Sequence, residues 1–124
     1  MAIKKSLGMG LDLLLTAADN GKDESQHEIS LTRARAVFHR ATEEDEQGNL
    51  FEAYHLYRQV MDLVENPISR DLPELCALVS QSFNNAAIIL YDADRADLAR
   101  TFLHKAIKVC PDNQTARENL QTIS

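Results

Sequence analysis

Four histidines, two cysteines and a run of four acids are the groups in this 124-residue chain with the types to do chemistry. Catalysis or metal binding needs such groups to converge, a nucleophile or base beside a partner that holds it. Their spacing argues against convergence. His27 falls in a polar stretch expected to be a linker. His39, His55 and His104 fall on three separate predicted helices, none with a second His, Cys or carboxylate at a metal-ligating interval. Cys76 and Cys110 each sit in an apolar helical pattern, where a free thiol serves as a small core hydrophobe. Glu43, Glu44, Asp45 and Glu46 occupy consecutive positions and so radiate around a helix, as a solvated face or as an acidic rim that selects a basic partner segment. Gly8-Met9-Gly10 lacks the third glycine and the preceding strand of a dinucleotide site. No catalytic residue, cofactor or metal is expected, and the chain reads as a non-enzyme.

The elements that position these residues follow from composition and periodicity. Apolar residues make up 44% of the chain with no Trp, four Gly and three Pro, which favours packed helices in one modest domain. A net charge of −6 opposes non-specific attraction to nucleic acid or an anionic membrane, so neither is an expected partner. No stretch has the length and apolarity to span a bilayer, Asp12 interrupts the one segment resembling a signal peptide, and the expected compartment is the cytoplasm. Two regions are expected: residues 1–28, an amphipathic head with a flexible linker, and residues 29–124, a helical domain.

Helix signals divide the second region. Ser30 is a plausible N-cap for a first helix carrying Leu31, Ala34, Val37, Phe38 and Ala41 and ending at Gly48. Asn49 and Glu52 have capping-box spacing for a second helix, whose stripe of Leu50, Ala53, Tyr54, Tyr57, Val60, Met61 and Val64 ends before Pro67. Asp71 and Glu74 can cap a third, with Leu75, Leu78, Val79, Ser82, Phe83, Ala86, Ala87, Leu90 and Tyr91 at period 3.6. A fourth runs from about Arg95 to Cys110, stopped by Pro111, and residues 114–123 form a short polar fifth.

The third and fourth helices carry a resemblance. Phe83-Asn84-Asn85-Ala86-Ala87, Leu90-Tyr91, Ala99, Leu103, Ala106-Ile107 and Pro111-Asp112-Asn113 resemble the tetratricopeptide repeat over about residues 80–113. The first pair, about 34–67, is similar to it more weakly through Ala41, Gly48-Asn49, Ala53, Tyr57 and Pro67. Ala53 and Ala99 lie 46 positions apart against about 34 for a regular repeat, so a dozen extra residues separate the units. The expected fold is therefore all-α: two antiparallel hairpins of tetratricopeptide-repeat type plus a carboxy-terminal capping helix, a short α-solenoid.

The resemblance implies a protein or peptide partner in a groove lined by the first helix of each hairpin. Carried over, it places Arg35, Phe38, Thr42 and Asp45, with Gln81, Asn84, Asn85, Ile88 and Tyr91, toward that groove. Amides mixed with apolar surface suit an extended peptide. The subclass that grips chaperone carboxylate tails uses Lys, Asn and Arg. Here Phe38, Thr42, Asn85, Thr115 and Asn119 stand at the matching positions, only Asn85 agrees, and chaperone-tail binding is not expected. Separately, Lys4-Lys5-Ser6-Leu7-Gly8-Met9-Gly10-Leu11-Asp12-Leu13-Leu14-Leu15 is similar to the short head of ParB-type partition proteins, which contacts a ParA/MinD-type ATPase. That implies contact through Lys4, Lys5, Leu7, Leu11 and Leu14, while Met9 stands where the family has an arginine, so stimulation of hydrolysis is not implied. The leading expectation is a scaffold or adaptor in a bacterial-type assembly. The alternatives are an adaptor of a ParA/MinD-type ATPase acting through the head, and a structural homodimer burying the uncapped first hairpin.

Overall fold

The computed structural model describes residue 5, residues 26–65 and residues 73–124, with side chains described at 5, 31–63 and 73–124. The described residues form five α-helices and no strand, so the fold class is all-α. The helices are α1 (Gln26–Glu46), α2 (Leu50–Met61), α3 (Pro73–Asp92), α4 (Ala96–Val109) and α5 (Gln114–Ile123), and a 3-10 turn over Asp62–Glu65 extends α2. Consecutive helices pack on one another, α1 on α2, α2 on α3, α3 on α4 and α4 on α5, and α3 also meets α1 and α5. No described helix is long and apolar enough to cross a membrane.

Two turns built the same way close the two hairpins. After α1, Gly48 takes φ +83°, its N–H bonds Asp45 O and Asn49 N–H bonds Glu44 O. After α3, Asp94 takes φ 62°, its N–H bonds Tyr91 O and Arg95 N–H bonds Leu90 O. Both are Schellman caps, in which a left-handed residue lets two N–H groups fold back on the last carbonyls of the helix. Gly48 and Asp94 lie 46 positions apart, the same interval as Ala53 and Ala99. In each second helix the alanine N–H bonds the residue just after the turn, Ala53 to Asn49 O and Ala99 to Arg95 O.

The core repeats with the turns. Ala41 and Ala87, and Ala53 and Ala99, are buried where paired helices approach closely. The first hairpin closes on Phe38 against Tyr57, rings 5.9 Å apart, and the second on Phe83 edge-on to Phe102 at 5.7 Å. Leu75, Leu78 and Leu103 are also fully buried, each contributing on the order of 2 kcal/mol by leaving water.

Helix α3 holds the centre. The predicted stripe from Leu75 to Ala87 is buried, but so are the intervening Ser80, Gln81, Asn84, Asn85, Ile88 and Ile89, giving twelve consecutive buried residues from Leu78 to Ile89. Twelve residues make more than three turns, so all faces of this segment are covered.

Several boundaries correct the sequence reading. Helix α1 starts at Gln26, so Ser30 is interior to it and does not cap it, and His27 lies on the helix and not in a linker. No Gly or Pro separates Gln26 from Ser30, so nothing in the backbone halts the helix there. Asn49 makes no side-chain cap bond. Its amide instead donates to Glu44 Oε2 at 2.9 Å, because the Schellman turn folds Asn49 back over the end of α1. Pro67 and Asp71 lie outside the described residues.

Candidate functional site

Arg35, Phe38, Thr42 and Asp45 recur on one face of α1 at intervals of three and four, and Gln81, Asn84, Ile88 and Tyr91 stand 46 positions later on α3. The structure buries both rows except for Tyr91. Phe38 is fully buried against Tyr57 and serves the core, which leaves it no surface for a partner. Thr42 is buried and its hydroxyl donates to His39 O at 2.8 Å, a local back-bond within α1. Gln81, Asn84, Asn85 and Ile88 are buried as well, and only Tyr91, 41% exposed, presents a large surface. The expected open groove floor is therefore covered.

Five of the buried side chains form a continuous chain of hydrogen bonds across four helices. Asn119 on α5 donates to Asn84 Oδ1 at 2.8 Å, and Asn84 Nδ2 donates to Asn85 Oδ1 at 3.2 Å, both on α3. Asn85 Nδ2 then donates to the Tyr57 hydroxyl on α2 at 3.3 Å, and that hydroxyl donates to Asp45 Oδ2 on α1 at 2.9 Å. Asp45, 8% exposed, ends the chain, and its other oxygen accepts from Lys5 Nζ at 2.5 Å. All donors point the same way, toward the carboxylate. A buried carboxylate survives only when paired and hydrogen-bonded, and here a phenol supplies one partner and an ammonium the other. Burial, and next the Asp45 charge with its hydrogen bond, push the Tyr57 phenol above its ordinary range, so it stays a neutral donor.

A second polar link ties the cap to the hairpin. Asn113 accepts from Ala116 N–H at 3.0 Å, capping α5, and donates to Ser80 Oγ at 2.8 Å, while Ser80 donates to Ala106 O at 2.7 Å. Arg35, also buried, pairs with Glu74 at the start of α3, and its Nε has no hydrogen-bond partner among the described residues.

The side chains with the types to do chemistry are dispersed among the described residues. His39 pairs with Glu43 at 2.7 Å on a partly exposed face of α1, His55 lies edge-on to the exposed ring of Phe51, and His104 is exposed on α4. Cys76 lies on α3 and Cys110 just past the end of α4, both thiols of intermediate burial. Glu43, Glu44, Asp45 and Glu46 do diverge, Asp45 alone turning inward. Among the described residues, no three His, Cys, Asp or Glu are grouped to hold a metal ion. What the described residues bring together is a buried carboxylate held by a phenol and an ammonium at the end of a row of amides.

Sequence reasoning missed Tyr57 and Asn119 as members of this network. Tyr57 reads as core by its place in the stripe, yet a buried phenol must find a hydrogen-bond partner, and that requirement is a signal pointing to the acid one helix away. Of the expected head contacts, Lys5 is described, whereas Lys4, Leu7, Leu11 and Leu14 lie outside the described residues. No family model, curated protein or solved structure matches the chain.

Proposed function

We propose that the protein is a non-catalytic interaction module, a short scaffold of tetratricopeptide-repeat type that holds a peptide or helix along α1 and α3. The observation that supports this reading most is the 46-residue repetition of hairpin, Schellman turn and buried alanine, which sets α1 and α3 as corresponding helices of two units. Corresponding helices in stacked units present corresponding side chains to one shared surface. Of these rows Tyr91 is the exposed aromatic anchor, while Asp45 and Ile88 are buried, so a segment carrying a lysine or arginine reaches the Asp45 carboxylate only by taking the place of Lys5. The dispersal of His39, His55 and His104 over three elements supports binding over chemistry.

The test is quantitative capture of a stoichiometric protein partner by the full chain, compared with an Asp45→Asn plus Tyr91→Ala chain that keeps its helical circular dichroism. Loss of the partner supports the groove. Retention at wild-type affinity moves the site elsewhere on the surface.

A further inference from the structure

Two contacts fix the register of α4 against α3. The Phe83 and Phe102 rings meet edge-on at 5.7 Å, and the Ser80 hydroxyl donates to Ala106 O at 2.7 Å. The two helices run antiparallel, so three residues back along α3 correspond to four forward along α4. One more turn in the same directions leads to Cys76 and Cys110. Cys76 shares the face of Ser80 by its spacing of four, and Cys110 shares that of Ala106. Further bonds hold Cys110 there. Its N–H bonds Ala106 O at 3.0 Å, the same oxygen that accepts from Ser80. Its carbonyl accepts from Asn113 N–H at 3.0 Å, and Asn113 Nδ2 returns to Ser80 Oγ at 2.8 Å. The turn from α4 to α5 is therefore tied down on α3 on both sides of Cys110. Facing positions on helices about 8 Å apart, with Cα atoms about 2.3 Å from each axis, bring two Cα atoms into the range of about 4.4–6.8 Å that a disulfide spans. Burial separates this pair from a core filler. Ala99, Leu103 and Ala106, deeper in the same interface, are at most 1% exposed, whereas both thiols are partly open to solvent.

We propose that Cys76 and Cys110 form a reversible redox site, which closes to an intramolecular disulfide under a hydroperoxide and locks the second hairpin to its cap. One thiolate attacks the O–O bond of hydrogen peroxide, giving a sulfenic acid and hydroxide. The other thiolate attacks that sulfur, forms the S–S bond and expels a second hydroxide. The two protons released when the thiols ionise convert both hydroxides to water. Each sulfur gives up one electron, and the peroxide takes up both. A small thiol reopens the bond by exchange. The cross-link closes a loop over the whole second hairpin and holds Cys110 beside Asn113, the cap of α5, so it fastens α3, α4 and α5 as one unit. In a reducing compartment the pair stays as thiols, and closure reports oxidation. The site uses none of the side chains of the α1/α3 reading and stands apart from it.

The experiment oxidises the reduced full-length chain, wild type, Cys76→Ser and Cys110→Ser, with hydrogen peroxide at low protein concentration. Samples are quenched with N-ethylmaleimide and read by non-reducing electrophoresis and by mass spectrometry before and after trypsin. The expected product is a monomer that lacks two hydrogens and takes up no maleimide, with peptide 71–95 linked to peptide 109–117. Its Tm should exceed that of the reduced chain by on the order of 10 °C, because the cross-link restricts the unfolded chain, and neither Ser variant should gain. An unfolded chain also closes such a loop by chance, so the wild type is equilibrated in glutathione buffers with and without unfolding urea. Alignment in the native state predicts an equilibrium constant for the disulfide at least about tenfold larger without urea. A native constant equal to or below that in urea overturns the proposal, since the fold then holds the sulfurs apart. Covalent dimers, or sulfinic acid on either cysteine with no cross-link, overturn it as well. A cross-linked monomer that melts below the reduced chain carries a strained bond and contradicts the register drawn through Ser80 and Ala106.

Discussion

Tyr57→Phe removes one oxygen from the middle of the buried hydrogen-bond chain and leaves the ring in place against Phe38. The lost hydroxyl donates to Asp45 at 2.9 Å and accepts from Asn85 at 3.3 Å. A hydrogen bond to a charged group is worth about 1.5–3 kcal/mol, and the neutral bond lost from the Asn85 amide adds about 1 kcal/mol, for a loss of roughly 2–4 kcal/mol. In a domain of this size that lowers Tm by roughly 10–20 °C, readable by circular dichroism and by urea titration. The pH dependence gives a second, independent readout. Because burial and Asp45 raise the folded-state pKa above the ordinary 10.0, the unfolded chain releases the Tyr57 proton above pH 10 while the native state keeps it. The native state then binds more protons than the unfolded one, so Tyr57 contributes a loss of about 1.4 kcal/mol per pH unit as pH rises from that point. The Phe variant lacks this component. The stability gap between wild type and variant should be constant below pH 10 and narrow above it. A neutral-pH loss under about 0.5 kcal/mol, or stability curves that stay parallel between pH 9 and 11.5, would refute the network as drawn.

Two further substitutions test the hairpin geometry and the cap. Gly48→Ala should destabilise by about 1 kcal/mol and Asp94→Gly should stabilise by a few tenths to 1 kcal/mol, because both turns need a left-handed residue; urea midpoints moving in the same direction for both would contradict the paired Schellman assignment. At Gly48 space is not the issue, since an added Cβ meets nothing within 4 Å, and only backbone strain opposes it. Asn113→Ala should cost about 1–2 kcal/mol, as it removes the cap of α5 and the donor to Ser80 together, and Asn113→Ser, which can keep the cap bond, should recover part of that in thermal melts.

The sequence made the helices readable because apolar side chains recur at the helical period in α2, α3 and α4, and because Gly48 and Pro111 stop helices for local steric reasons. The second turn was harder to see. Asp94 holds the left-handed position that glycine fills at Gly48, and Asp has no unique local signature there. The largest divergence lies in α3, whose polar face was expected to meet solvent or a partner. Ser80, Gln81, Asn84 and Asn85 are instead inside, for periodicity separates apolar from polar positions but cannot tell a solvated amide from one satisfied by a neighbouring helix. Asp45 shows the same blindness: four consecutive acids look alike in sequence, and only the approach of Tyr57 and Lys5 singles out one of them. Tyr91, on the last turn of α3, is the member of these rows left exposed, at 41%.

Binding along α1 and α3 is the central claim, and partner capture measures it most directly. The full chain and its Asp45→Asn plus Tyr91→Ala variant are immobilised at equal density, and the dissociation constant of the co-purifying protein is read for each by surface plasmon resonance. A charge anchor and an aromatic anchor lost together predict an affinity at least about thirtyfold weaker, each anchor contributing on the order of 1–2 kcal/mol. Affinity within about twofold of wild type, with both chains equally helical, would contradict the account.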